Sequence, residues 1–268
     1  MGLLFFSSGL VLYLFATAAF VTHLMGEREA ARRIAIGSLF VGFALSTAGL
    51  LARATEVISL RLPHDQLALL AWFLVAVYLL LQMRYRLAVV GALVSPLAFL
   101  LTLSAYVTYS GGSDLSGSLA SAWLPAHVAP AFLGYAILVV ASCVSVLYLL
   151  QERQLKSKRA SGLSRRMPSL ETLDTLNYRC VAWGFALFTI GILTGSILAK
   201  VAWGTFWSWE PVQILSVLAW LLYALLLQTR SIGWRGRRAA TLTLAGFVLL
   251  VVSFLSLNLG LTHGSGLG

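Results

Sequence analysis

The side chains best suited to hold a metal here are the four histidines, His23, His64, His127 and His263. A neutral imidazole offers one ring nitrogen as a lone-pair ligand and the other as a donor. The residues best suited to hold a flat ligand form one stretch, Trp203-Gly204-Thr205-Phe206-Trp207-Ser208-Trp209-Glu210-Pro211, with three of the eight tryptophans inside seven positions. A single Trp is common at a membrane–water boundary, because its ring is apolar and its N–H wants a partner. Three of them with a glycine, a carboxylate and a proline make a denser aromatic shelf than anchoring requires. Such a shelf suits a flat, apolar ligand that also carries negative charge. No Ser/His/Asp nucleophile set, phosphate loop, cysteine metal cluster or facing carboxylate pair accompanies it.

The elements that must position these residues are membrane spans. The chain of 268 residues is 59% hydrophobic and only 10% charged, where a soluble domain carries roughly 25% charged residues. The expected fold is all-α, a polytopic membrane protein with eight transmembrane helices forming one integral-membrane domain over residues 1–268. The spans are read at 3–24, 34–52, 67–83, 87–109, 128–150, 180–199, 214–228 and 239–259, the first retained because it lacks a small-residue cleavage site. The loops after the odd-numbered spans hold sixteen of the nineteen lysines and arginines. The excess of basic residues on the cytoplasmic side therefore puts these loops inside and both termini outside. It also accounts for the net charge of +10 without nucleic acid. In the long cytoplasmic loop 151–179, Ser169 reads as an N-cap and Leu170, Leu173 and Leu176 recur at helical spacing. A short amphipathic helix on the inner surface is expected there, feeding the sixth span.

Topology then sorts the histidines. His127, at the outer end of the fifth span, His263, just beyond the eighth, and the tryptophan loop 201–213 all fall on the outer face. Two imidazoles can bind haem iron from opposite sides while indoles cover the porphyrin. Haem is one ligand that would suit this face, with His127 and His263 as candidate iron ligands and Trp203, Gly204, Trp207, Trp209 and Glu210 around it. Outer Arg53, Arg61 and Lys200 are the candidate donors to its propionates, and His64 and Trp123 candidate secondary contacts. His23 lies on the inner side without a second histidine. Cys143 and Cys180 form neither a CxxC pair nor a haem-attaching CxxCH, so the chain is not itself a c-type cytochrome.

The run Trp203-Gly204-x-x-Trp207-Ser208-Trp209-Glu210-Pro211 resembles the WGxxWxWD signature of the haem-handling proteins of cytochrome c assembly, CcsA (ResC) and CcmC. The small eight-span HemX/YpjD-type members are the most similar subgroup. Leu62-Pro63 through Ala71-Trp72, Pro168 through Asp174, Gly184-Phe185 and Asn258 through His263 also resemble family segments, so the likeness covers most of the chain. It implies haem b, held non-covalently at the outer face of a bacterial cytoplasmic membrane, with His127 and His263 as axial ligands. It further implies transfer to a partner: apocytochrome c together with a Ccs-type membrane protein. HemX-type relatives imply an alternative, control of glutamyl-tRNA reductase in tetrapyrrole synthesis, and a transporter without haem is a third reading. The expected role is handling rather than catalysis. The chain departs from the signature at Glu210, where the family has Asp, and at Gln213, where it often has Glu.

Overall fold

The computed structural model describes residues 2–26, 28–54, 63–85, 87–109, 123–157 and 167–258, except the side chains at 2–6, 53–54, 123, 202–203 and 257–258. Eight helices fill these residues: α1 (Gly2–Gly26), α2 (Glu29–Ala54), α3 (Pro63–Tyr85), α4 (Ala88–Val107), α5 (Trp123–Lys156), α6 (Leu170–Trp203), α7 (Pro211–Ser231) and α8 (Arg237–Asn258). All eight are long and apolar enough to cross a membrane. In hydrocarbon each backbone N–H and C=O must be satisfied within the segment, which leaves the helix as the form for such runs. Prolines open α3 and α7, where the missing N–H is no loss and the fixed φ suits the first turn. Large apolar side chains such as Phe15, Phe40, Leu80 and Leu221 stand exposed on the helices, as lipid-facing positions require. The protein is a multi-pass membrane protein.

The chain divides into two compact units, Met1–Gly117 with Arg159–Met167, and Ser118–Lys158 with Pro168–Gly268. The first contains α1–α4. There the Tyr13 hydroxyl meets Ser46 Oγ at 3.2 Å, and Trp72 donates from Nε1 to Thr47 Oγ1 at 2.7 Å while stacking on Phe43.

The second unit contains α5–α8 and is built on an antiparallel α5/α6 pair. Its seam is written in small residues. A side chain at Gly134 would meet the Phe188 backbone N at 2.8 Å, and one at Gly191 would meet Ala131 Cα at 2.9 Å. Without a hydrophobic drive between helices in lipid, close backbone approach and interhelical hydrogen bonds hold such pairs together. At one end Asn177 Nδ2 donates to the Ala141 carbonyl at 3.1 Å and to Ser145 Oγ at 2.6 Å. At the other end His127 donates to the Gly191 carbonyl. The helices therefore carry a polar pin at each end, fixing their register. Beside the Asn177 end, Arg230 binds Asp174 with two N–H groups, at 2.9 and 2.6 Å, and the Gly236 N–H adds a third bond at 2.9 Å.

Two boundaries differ from the sequence reading. The amphipathic run at 169–176 is no separate surface helix: it is the first part of α6, 34 residues long. Ser169 does cap it, accepting from the Thr172 N–H at 3.2 Å. Leu173 and Leu176 are buried in the protein rather than laid on lipid, and no proline or glycine interrupts the chain before the span. Likewise α5 begins at Trp123 and continues through Pro130, so His127 lies within the helix rather than ahead of it.

Candidate functional site

His127 sits one turn into α5, half-buried against α6. Its Nδ1 is 2.9 Å from the Gly191 carbonyl oxygen. A carbonyl only accepts, so Nδ1 carries the hydrogen, and in the neutral ring Nε2 carries the lone pair. Thr194 Oγ1, which bonds back to the Ile190 carbonyl at 2.7 Å, lies 3.5 Å from the same nitrogen. Donation of one imidazole N–H to a backbone carbonyl is how metal-ligating histidines are oriented. The ring also rests on Gly195, where a Cβ would stand 2.9 Å from Cε1 and 3.1 Å from Nδ1.

The tryptophan loop begins where α6 ends. Gly204 stops the helix in a left-handed conformation with φ 77°, which glycine adopts without strain. Its N–H bonds to the Lys200 carbonyl at 3.0 Å, and Lys200 Nζ reaches the Gly204 carbonyl at 2.6 Å and lies 5.4 Å from the Phe206 ring centre. The Lys200 ammonium thus ties the loop to its own helix. Trp207 and Trp209 meet edge to face, with centroids 5.7 Å apart and planes at 88°. Trp209 holds φ 57°, a left-handed setting that carries strain for a residue with a Cβ. The residue is 74% exposed. Trp207 differs: its Nε1–H is buried and has no hydrogen-bond partner. Such orphan donors are rare in folded proteins.

Glu210 is the N-cap of α7, and its backbone carbonyl accepts from the N–H groups of Gln213 and Ile214 at 2.9 and 3.1 Å. Its side chain makes no cap bond. The staple comes from Gln213, whose Oε1 accepts from Ser208 N at 2.9 Å and lies 3.2 Å from Ser208 Oγ. It works like the third residue of a capping box, reaching back over the helix start.

The predicted site residues are distributed unevenly. His127, Lys200, Gly204, Trp207, Trp209 and Glu210 all belong to the second unit. His127 and the loop stand at different depths along α6. The ring contacts Gly195, nine residues before Gly204, and at ~1.5 Å per residue that is about 14 Å of helix. His64 belongs to the first unit. It is buried in the first turn of α3, 3.5 Å from the Asp65 carboxylate and edge-on to Tyr109. His23 donates from Nδ1 to the Arg28 carbonyl at 3.1 Å, across the α1–α2 turn. Arg61 and His263 lie outside the described residues, as do the side chains of Arg53, Trp123 and Trp203. Sequence reasoning missed Gly191, Thr194 and Gly195. The Gly191-x-x-x-Gly195 spacing inside an apolar run was the available signal. Among the described residues no group of three or more His, Cys, Asp or Glu could hold a bare metal ion.

Comparison with known proteins gives this arrangement a family. The family described as "Cytochrome C assembly protein" matches residues 63–263. The chain is 34% identical over 215 residues to the cytochrome c biogenesis protein CcsA of Guillardia theta, across 73% of this chain and 71% of that one. It is 34% identical over 207 residues to the CcsA of Chlamydomonas reinhardtii, across 73% of this chain and 57% of that one. A solved structure, titled cytochrome c haem lyase CcmF, shares the fold with a TM-score of 0.64 at 18% identity, covering 97% of this chain. This chain spans 50% of the length of that one. On the family match and the CcsA identities together, the chain belongs to the cytochrome c assembly protein family.

Proposed function

We propose that the protein is a haem-handling component of cytochrome c assembly that holds haem b, non-covalently, as cargo for a partner. His127 Nε2 is one axial ligand and His263 the other. The tryptophan loop would cover the ring, and Arg53, Arg61 and Lys200 are the candidate partners of the propionates. The loop and both termini face outward from a bacterial cytoplasmic membrane, and the whole chain acts as one integral-membrane domain. When bound, the haem supplies the iron that imidazole ligates and the macrocycle that indoles cover.

The observation that carries this reading is the hydrogen bond from His127 Nδ1 to the Gly191 carbonyl at 2.9 Å. It leaves Nε2 as the ligating nitrogen and holds the ring in one orientation before any ligand arrives. Two further features fit the same cargo. The buried, unpartnered Trp207 N–H would gain an acceptor from an anionic ligand, and the exposed Trp209 indole offers an apolar face. The protein's own residues then bind, orient and exclude water, while attachment of the haem belongs to apocytochrome c and a Ccs-type membrane partner.

The test is a strain lacking the gene. It should lose covalently haem-stained c-type cytochromes while glutamyl-tRNA reductase levels stay normal. Normal cytochromes with altered reductase levels would instead support the regulatory role implied by HemX-type relatives.

A further inference from the structure

The proposed ligand His127 packs against a glycine on the facing helix. We propose that Gly195 is a positioning residue for His127: the space left by its missing side chain holds the imidazole against α6, so that Nδ1 reaches the Gly191 carbonyl and Nε2 takes one fixed direction. The inference rests on the reading of His127 as a haem ligand, and adds the residue that makes it one.

Several observations converge on this seat. A Cβ at Gly195 would lie 2.9 Å from His127 Cε1 and 3.1 Å from Nδ1. The first separation is closer than packed carbons tolerate, so an alanine there must turn the ring or lift it away. The 2.9 Å bond to Gly191 would then break, because the α5/α6 backbones are already in contact at Gly191 and Gly134 and cannot shift to compensate. The glycines of α6 thus divide their work. Gly191 meets backbone and brings the helices together, whereas Gly195 meets the imidazole itself. Asn177, at the far end of the same seam, bonds α5 through Ala141 and Ser145. Asn177 and the close backbone contacts still hold the register when the His127 pin is lost, so a seating defect at 195 stays local.

Two experiments decide the matter. The first compares the haemin-loaded absorption spectrum and haem dissociation of the wild type, His127→Ala, Gly195→Ala and Gly134→Ala. Loss of an outer-shell support typically weakens metal binding about 10- to 100-fold. Gly195→Ala should weaken haem retention by about that factor and shift the Soret band. Gly134→Ala, equally crowded but with no imidazole beside it, should lower the unfolding temperature and leave the Soret position unchanged. A wild-type Soret band and haem retention in Gly195→Ala would overturn the proposal. The second experiment needs no haem. In the apoprotein, Gly195→Ala should lower the unfolding temperature when His127 is present and have little effect in His127→Ala, whose cavity accepts the methyl group. An equal loss in both backgrounds would overturn the seating. The two readings fail separately: a wild type that binds no haemin sinks the proposed function, while the apoprotein comparison still decides whether Gly195 seats the ring.

Discussion

At the scale of the residue, what matters is which hydrogen bonds are made and which are left open. Trp207 holds a buried N–H without an acceptor, and burying such a donor unmet costs about 1–3 kcal/mol. Trp207→Phe keeps an apolar ring and removes that donor. It should therefore leave the apoprotein as stable as wild type or slightly more so, while weakening haem retention. Thermal unfolding and haemin titration read the two effects side by side, and a clearly destabilised apoprotein would show that the indole N–H already has a partner. Glu210 offers the opposite case. It stands at an N-cap yet makes no side-chain cap bond, whereas Asp is among the preferred cap residues. Glu210→Asp should stabilise the start of α7 by about 1 kcal/mol, seen as slower proteolysis of the loop. The departure from the family motif was legible in the sequence. Its consequence was not, because the side-chain bond that ties the loop to the start of α7 comes from Gln213 rather than from Glu210. Glutamine still accepts, and Ser208 is within its reach.

At the scale of the element, α5 and α6 form a platform locked by a polar pin at each end. The seam between them explains why His127 can be placed well without a rigid loop: side chains carried by packed helices are held better than those on connections. Overpacking such a seam costs about 1–3 kcal/mol, so Gly134→Ala should lower thermal stability by about that amount. Asn177→Leu removes the pin at the other end. Interhelical hydrogen bonds in membranes are worth about 0.6–2 kcal/mol each, and a comparable loss is expected in reversible unfolding in detergent. The existence of all eight helices could be read from the apolar runs. Their ends could not. The α6 N-terminal half looked like a surface helix because its leucines repeat with polar residues between them. That pattern marks a face that is covered, and the sequence does not say whether lipid or protein covers it. Here Asp174 pairs with Arg230 and Asn177 with α5, so protein covers it. The depth of His127 was hidden because the apolar run that marks the span starts only at Val128, whereas the helix already starts at Trp123.

At the scale of the whole molecule, the proposed sidedness makes the loop and the basic turn between α7 and α8 face opposite compartments. Ser208 and Arg235 are both exposed, and the native Cys143 and Cys180 are buried. An impermeant thiol reagent on intact cells should label Ser208→Cys and spare Arg235→Cys; the reverse pattern would invert the topology. The family membership was readable from the tryptophan motif, and comparison with CcsA relatives bears it out. The ligand pair was read from topology together with the tryptophan motif; the structure describes the surroundings of His127, and His263 lies outside the described residues.

The most direct measurement is the absorption spectrum of the purified protein, oxidised and reduced, with and without added haemin, for the wild type and His127→Ala. The account predicts a Soret band in the wild type and, in the variant, a band that is weakened and shifted. A wild-type preparation that stays colourless and takes up no haemin, or a His127→Ala protein whose spectrum matches wild type, would contradict it.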